Sequence, residues 1–454
     1  MRKPNKQLLS FFLVASSSFV AANMVAQTPM NLKQAIEIAL DNNSSLRSDS
    51  LEISVTQSRN KELAGQMLPQ VTYNGGTEYN LAIASQLVPG SLAGQPNKDY
   101  VPVQFGSRYN LRAGIEVTQN IFRKDLQWQI KTSGLQTNIV QTKYALSKEG
   151  LIYQVALTFY SLQGTSELIR TTYSDYVYLK DVLKIAKAQF ENGIIKRIDY
   201  ESLDINVANK KSFLNQLQTQ YRDQHAYFNY LLGLPASSET PIDNIITTNV
   251  DQFGGVVSLS QREDLHLTHQ LIESKEDELK RIRAERLPVV KSYFRYYNQS
   301  LFNEASKAFD SKYWFDASTV GITVSLNIFD GNRRKSRLGV AQMQLEQLKL
   351  QSDDRHQQAN MEVYTATENL KNNQQQYATN KNNLALAEKV FLSRKALYTE
   401  GVTTLVELLN AETELNQSRN LYTQSMVNVQ TSWLDLHKAR GTLLTEFLQS
   451  FKTN

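Results

Sequence analysis

The sequence predicts a mixed fold in which long α-helices are combined with membrane β-strands and the whole plan is duplicated. Three observations predict it. Segments at 71–79, 109–117 and 320–328 alternate apolar with polar side chains, proline-free stretches run far beyond an ordinary helix, and short motifs recur in the same order in each half.

The N-terminus comes first. Arg2, Lys3 and Lys6 precede an apolar run through Leu8, Leu9 and Phe11 to Val14, then Phe19 to Ala22, and small residues end at Ala22 or Ala26. That is the layout of a secretory signal over residues 1–26. Ser16 to Ser18 and Asn23 break the run, which therefore falls short of the roughly 20 apolar residues a membrane anchor needs. No cysteine follows to take a lipid, and no later segment is apolar enough for a transmembrane helix. A chain of this kind that spans a membrane must do so as a barrel, because unpaired backbone groups are too costly in hydrocarbon.

Self-similarity sets the domain plan. Leu68-Pro69-Gln70-Val71 recurs as Leu287-Pro288-Val289-Val290, Gly114-Ile115-Glu116-Val117 as Gly321-Ile322-Thr323-Val324, and Asn120-Ile121-Phe122 as Asn327-Ile328-Phe329. A turn-like glycine follows at nearly the same distance in each half, Gly193 and then Gly401. The expected plan is a first repeat at 27–235, a linker at 236–259, a second repeat at 260–445 and a tail at 446–454. Each repeat reads helix, strand, loop, strand, very long helix, turn, helix. Leu231-Leu232-Gly233-Leu234-Pro235 ends the first repeat with glycine just past a helix and proline beyond it.

Four strands are expected, at about 68–80, 109–122, 287–297 and 318–329. In the first, Val71, Tyr73, Gly75, Thr77 and Tyr79 oppose Thr72, Asn74, Gly76, Glu78 and Asn80; in the second, Tyr109, Leu111, Ala113, Ile115 and Val117 oppose Asn110, Arg112, Gly114, Glu116 and Thr118. The third is noisier, with Val290, Ser292, Phe294 and Tyr296 on one side and Lys291, Tyr293 and Arg295 on the other. The fourth sets Val320, Ile322, Val324, Leu326 and Ile328 against Gly321, Thr323, Ser325 and Asn327. Runs of about 10 residues suit a tilted membrane strand, although a soluble sheet with one wet face alternates in the same way. Tyr79, Tyr109, Tyr296 and Tyr297 near strand ends fit an interfacial girdle. Residues 81–108 and 298–317 read as outer loops. Four strands cannot close a pore, since about eight are needed merely to enclose packed side chains, so oligomerisation is part of the prediction.

Helices fill the remainder. Between Arg123 and Glu191 there is no proline, enough for a helix on the order of 100 Å. In the last helix Leu408, Leu415, Tyr422, Met426, Val429, Trp433 and Leu436 form a coiled-coil seam, with Asn410, Thr413, Asn416, Gln417, Ser418 and Asn420 on wetter faces.

Composition narrows the function. With 41% hydrophobic and 20% charged residues and a net charge of +5, the chain can fold and implies no nucleic-acid partner. It has no cysteine for thiolate chemistry, no phosphate-binding glycine loop and no serine elbow. Glu276-Asp277-Glu278 and Asp353-Asp354 are helix neighbours that do not face one site. His266 and His269 beside Glu263 and Asp264 have spacing open to a metal, but such pairs are mostly surface residues, and no metal or cofactor is expected. Arg333, Arg334, Lys335 and Arg337 follow the fourth strand and are placed at a rim near lipid head groups. An enzyme is not expected. The alternative to a membrane conduit is a periplasmic coiled-coil interaction or adaptor protein, for which one helical hairpin and compact β-domains are expected instead of strand pairs interrupting two equivalent halves.

The arrangement resembles the outer-membrane efflux family typified by TolC. The likeness runs from Met30-Asn31-Leu32-Lys33-Gln34-Ala35, with Ala39 and Asn42-Asn43, through Leu68-Pro69, Asn327-Ile328-Phe329-Asp330-Gly331 and Tyr398 to Ala411, and on to Gly441. The resemblance implies a homotrimer in the outer membrane of a Gram-negative bacterium, four strands per protomer in a 12-stranded barrel, and a periplasmic helical tunnel. It further implies a passive duct docked through a periplasmic adaptor onto an inner-membrane pump, for drug, metal or protein cargo. It places Gly193 and Gly401 at the periplasmic tip, Asp199 and Glu407 at the constriction, and Tyr398 in the network that holds the tip closed. Thr403 stands where a basic latch residue can occur and Asn410 where a second acid can occur, so a salt-bridge latch is not expected and the acidic ring is thinner. Gly193, Ile194, Ile195, Gly401, Val402 and Leu405 would form the surface an adaptor grips.

Overall fold

The structure, a computed structural model, describes residues 29–244 and 259–449. The expected signal segment at 1–26 and most of the 236–259 linker lie outside the described residues.

Two helices open the chain, α1 (Leu32–Asn42) and α2 (Ser44–Gly65). A capping box starts α1, with Asn31 accepting from the Gln34 amide while the Gln34 side chain accepts from the Asn31 amide. Strands β1 (Gln70–Tyr79) and β4 (Tyr109–Phe122) flank a hairpin of β2 (Ser85–Pro89) and β3 (Tyr100–Gln104). The stretch expected as a plain outer loop therefore carries its own small sheet. Helices α3 (Lys124–Glu191) and α4 (Arg197–Leu231) complete the first half. The second half runs α5 (Glu263–Ala284), β5 (Val289–Phe302), β6 (Trp314–Ser325), α6 (Arg333–Thr399), α7 (Leu405–Arg440) and α8 (Leu443–Gln449). The last helix runs across the boundary expected at 445.

Element lengths repeat between halves: 22 and 22 residues in α2 and α5, 68 and 67 in α3 and α6, 35 and 36 in α4 and α7. The turns repeat as well. Gly193 and Gly401 take φ of 71° and 72°, and Gly233 and Gly441 both take 71°, a left-handed conformation in which only glycine is unstrained. Each ends its helix with the same long-range bond, from the amides of Ile194, Val402, Leu234 and Thr442 to the carbonyls of Gln189, Leu397, Asn229 and His437.

One antiparallel sheet takes strands from both halves in the order β1-β4-β5-β6. The sequence pairs β1 with β4 and β5 with β6; the added pairing of β4 with β5, from Tyr109 opposite Phe302 onward, joins the halves into one wall. Two strands differ from expectation. β5 runs to Phe302, and β6 is shifted outward to Trp314–Ser325, which leaves Leu326 and Ile328 beyond the sheet. The cause is the register: Ser325 faces Val289, and the next residue of β5's chain, Pro288, has no N–H for Leu326.

The main core lies where the helices meet beside α1. Ile36, Ile152, Phe159, Leu162, Phe228 and Leu434 are buried together there. A second, smaller core lies at the far ends of the hairpins, around Leu179, Val182, Leu203 and Leu408. Leu408, Leu415, Met426, Val429 and Leu436 of the expected seam are all buried, and Tyr422 and Trp433 are half-buried.

Candidate functional site

The sheet has two chemically different faces. Cross-strand rows on one face read Val71, Val117, Phe294 and Val320, then Tyr73, Ile115, Tyr296 and Ser318, with Ile322 and Val324 extending the band on β6. These side chains are not covered: Val320 is 79% exposed, and Val71, Tyr73, Phe294 and Ile322 are exposed as well. The opposite face reads Thr72, Glu116, Arg295 and Thr319, then Asn74, Gly114, Tyr297 and Ala317. Arg295 donates to Glu116 at 2.7 Å across the strands. Both edges, β1 and β6, lack a partner strand among the described residues. A bare apolar band between open edges is a strong aggregation hazard in water, and it is satisfied by hydrocarbon on one side and further strands at the edges.

At the far end of the molecule the two helical turns come together. Ile194 and Val402, which follow Gly193 and Gly401, are exposed, and Ile195 is half-buried against the tip core. Leu405, expected on the same surface, is 6% exposed and packs inside that core with Leu203 and Leu408, because it opens α7 on the seam side. Exposed Ile198 and Val406 stand beside it instead.

Glu407 sits in the first turn of α7, where Thr404 caps the helix by accepting from the Glu407 amide at 3.3 Å. Its carboxylate accepts from Arg394 at 2.9 Å and from the Thr403 hydroxyl. The sequence gives no latch because position 403 is not basic; a basic partner nevertheless arrives from α6, across the Gly401 turn. Tyr398 donates toward Gln189 at 3.5 Å, and burial, with the Asp199 charge second, raises its hydroxyl above the ordinary range. Asp199 and Tyr398 are thus brought together, each half-buried, whereas Asn410 is exposed on α7.

A charged junction that the sequence does not reveal lies between α3, α5, α6 and α7. Arg262, 5% exposed, bonds Asp264 at 2.8 Å and Glu362 at 2.7 Å and donates to the Ala439 carbonyl at 2.9 Å. Arg355 bonds the same two carboxylates at 2.7 and 2.9 Å. Arg262 mirrors Asn43 of the first half, which donates to the Leu231 carbonyl at 3.0 Å at the matching helix end. His266 contacts the Ser260 carbonyl at 2.8 Å, and Asp264 is occupied by two arginines, so the spacing noted for a metal is used for other bonds.

Glu149 of α3 faces this junction, makes no hydrogen bond or ion pair among the described residues and is 9% exposed. Burial, then the neighbouring Asp264, raises its carboxyl to about 7 from the ordinary 4.5, with Lys438 and Arg262 opposing and Glu263 adding. Arg355 and Glu362 of α6 and Asp435 of α7 line the same cavity of about 490 Å³. Since the folded value is the higher one, Glu149 favours folding most below pH 4.5, and that contribution is lost as pH rises through about 7. Glu149→Gln is expected to remove a pH-dependent difference in stability of about 2 kcal/mol between these limits, less than the full shift because Lys438, Arg262 and the cavity beside the carboxyl screen its charge. Urea unfolding in detergent across the same pH range checks it, and an unchanged slope contradicts it.

The family described as outer membrane efflux protein matches residues 35–234 and 256–442. Among solved structures, 23 chains match. A membrane protein from Pseudomonas aeruginosa aligns with a TM-score of 0.74 at 17% identity, over 90% of this chain and 92% of that one. The outer membrane protein VceC of Vibrio cholerae aligns at 0.73 and 15%, over 90% and 96%. The CmeC outer membrane channel of Campylobacter jejuni aligns at 0.76 and 14%, over 93% and 88%. At these identities the likeness is one of fold. A search of curated proteins by sequence returns no match.

Proposed function

The chain belongs to the outer membrane efflux protein family, and from that premise we propose that it is the outer-membrane channel of a tripartite efflux or type I secretion system. It acts as a passive exit duct for substrates that an inner-membrane pump delivers through a periplasmic adaptor. The observation that carries this reading is the four-stranded sheet, apolar and bare on one face, polar on the other and open at both edges. Three copies joined edge to edge close a 12-stranded barrel, beyond the minimum of about eight strands. Strands of 10 to 14 residues are long enough to cross a bilayer at a tilt. The apolar face then meets lipid, the polar face lines water, and α3, α4, α6 and α7 continue the passage into the periplasm.

In this reading each protomer is two repeats, 27–235 and 260–445, behind a cleaved signal at 1–26. Gly193, Ile194, Ile195, Gly401 and Val402 form the adaptor-facing tip, and Leu405 supports it from within. Asp199 and Glu407 ring the constriction, with Tyr398 and Asn410 beside them, and Arg394 partly neutralises Glu407. Carboxylates around a narrow axis attract cations. Purified protein in planar bilayers is therefore expected to conduct with a cation preference that Asp199→Ala with Glu407→Ala weakens. Absence of conductance under any condition refutes the duct, and unchanged reversal potentials in the double variant refute the ring.

A further inference from the structure

The polar face of the sheet carries an ordered column. Along β5, successive residues on that face are Lys291, Tyr293, Arg295, Tyr297 and Gln299, because side chains alternate between faces. The Tyr293 ring is laid over a glycine of a flanking strand, since a Cβ placed on Gly321 would stand 2.5 Å from its hydroxyl, whereas at Gly114 it is the β5 backbone and the Tyr297 Cβ that come close, a Cβ there standing 2.5 Å from the Tyr297 Cβ. The missing side chain at Gly321 lets the Tyr293 ring lie along the wall, and the one at Gly114 lets β4 and β5 approach closely beside Tyr297.

Cations stack on those rings. The guanidinium carbon of Arg112 lies 3.8 Å from the Tyr297 ring centre, and that of Arg295 lies 4.7 Å from the Tyr293 ring centre. Arg295 is matched by Glu116 at 2.7 Å. Arg112 and Lys291 have no carboxylate partner among the described residues, and the remaining acid of the face, Glu78, is bonded by Asn110 at 3.4 Å. The face thus holds more cations than anions. Arg112 also borders a recess of about 770 Å³ floored by Asn74, Gly75 and Gly76, whose other charged walls are Glu116, paired with Arg295, and Glu78, bonded by Asn110. A guanidinium seated over a ring keeps edge N–H donors available, which suits a carboxylate attached to an aromatic ring.

We propose that this recess is a weak binding site for aromatic carboxylates, held by Arg112 with Tyr297 as its support. The proposal rests on the duct reading, which brings three copies of the recess around one axis inside the barrel. A three-fold aromatic trianion, benzene-1,3,5-tricarboxylate, is therefore the probe. Added on the barrel side of single channels in planar bilayers, it is expected to interrupt the current, and more strongly than citrate, a trianion with no ring. Arg112→Gln is expected to raise its half-blocking concentration by about tenfold or more, as loss of a charge-assisted contact implies. Arg112→Lys, which keeps the charge but not the planar fork, should fall between. Normal conductance of both variants without the probe shows that they assemble. A conducting wild type that is not blocked, block insensitive to Arg112→Gln, or equal block by citrate overturns the site while the duct stands. A protein that never conducts overturns both.

Discussion

Val320→Arg is expected to destabilise the assembled protein by about 2–4 kcal/mol, the cost of a cation on the lipid face of a membrane strand near mid-depth. Val320 shares its row with Val71, Val117 and Phe294, and nothing among the described residues covers it. The control is Thr72→Arg, one row away on the opposite face, where the new guanidinium would stand beside Glu116 in water. There the expected change is within about 0.5 kcal/mol. Urea unfolding from lipid bilayers compares the two. A soluble sheet with one wet face predicts a different result, because a cation added to an already exposed residue in water costs little in either variant.

The second large effect is at the four-helix junction. Arg262→Met is expected to cost about 3–5 kcal/mol, because it leaves Asp264, Glu362 and the Ala439 carbonyl short of the donor that now satisfies them. Most of that figure is the penalty for stranded acceptors, so adding Glu362→Gln to Arg262→Met should return part of it. Arg355 keeps its bond to Asp264 in both variants and its bond to Glu362 in the single one. Thermal unfolding of the detergent-solubilised protein checks the order of stabilities. Equal stability of Arg262→Met and the wild type contradicts the account of the junction.

Much of the architecture is legible in the residues, for identifiable reasons. Alternation assigns faces because a strand's side-chain period is two, and every residue from Val71 to Tyr79 lies on the face so assigned. The glycine turns are legible because a left-handed residue at a helix end favours one amino acid. Partner choice is not. Alternation says nothing of which strand lies beside β4, so the joining of the halves through β5 emerges only from the fold. The irregular look of β5 has the same origin, since Tyr293 and Tyr297 sit on the polar face opposite glycines, Gly321 and Gly114, that belong to other strands. At the tip, the resemblance places Leu405 on the gripped surface, yet the helix phase turns it inward. Glu407 finds Arg394 across that turn, and Glu149 meets Arg262 and Lys438 from remote parts of the chain. Such juxtapositions depend on helix packing, which no local pattern encodes.

In the proposed barrel Val320, Ile322 and Val324 face hydrocarbon while Thr319, Thr323 and Ser325 face water. The chain contains no cysteine, so single cysteines at these positions report without background. Reconstituted protein is exposed to a water-soluble maleimide and, separately, after spin labelling, to a lipid-soluble relaxing agent. The account predicts maleimide reaction at 319, 323 and 325 and collision with the lipid-phase agent at 320, 322 and 324. Uniform reaction with maleimide across all six positions would contradict it.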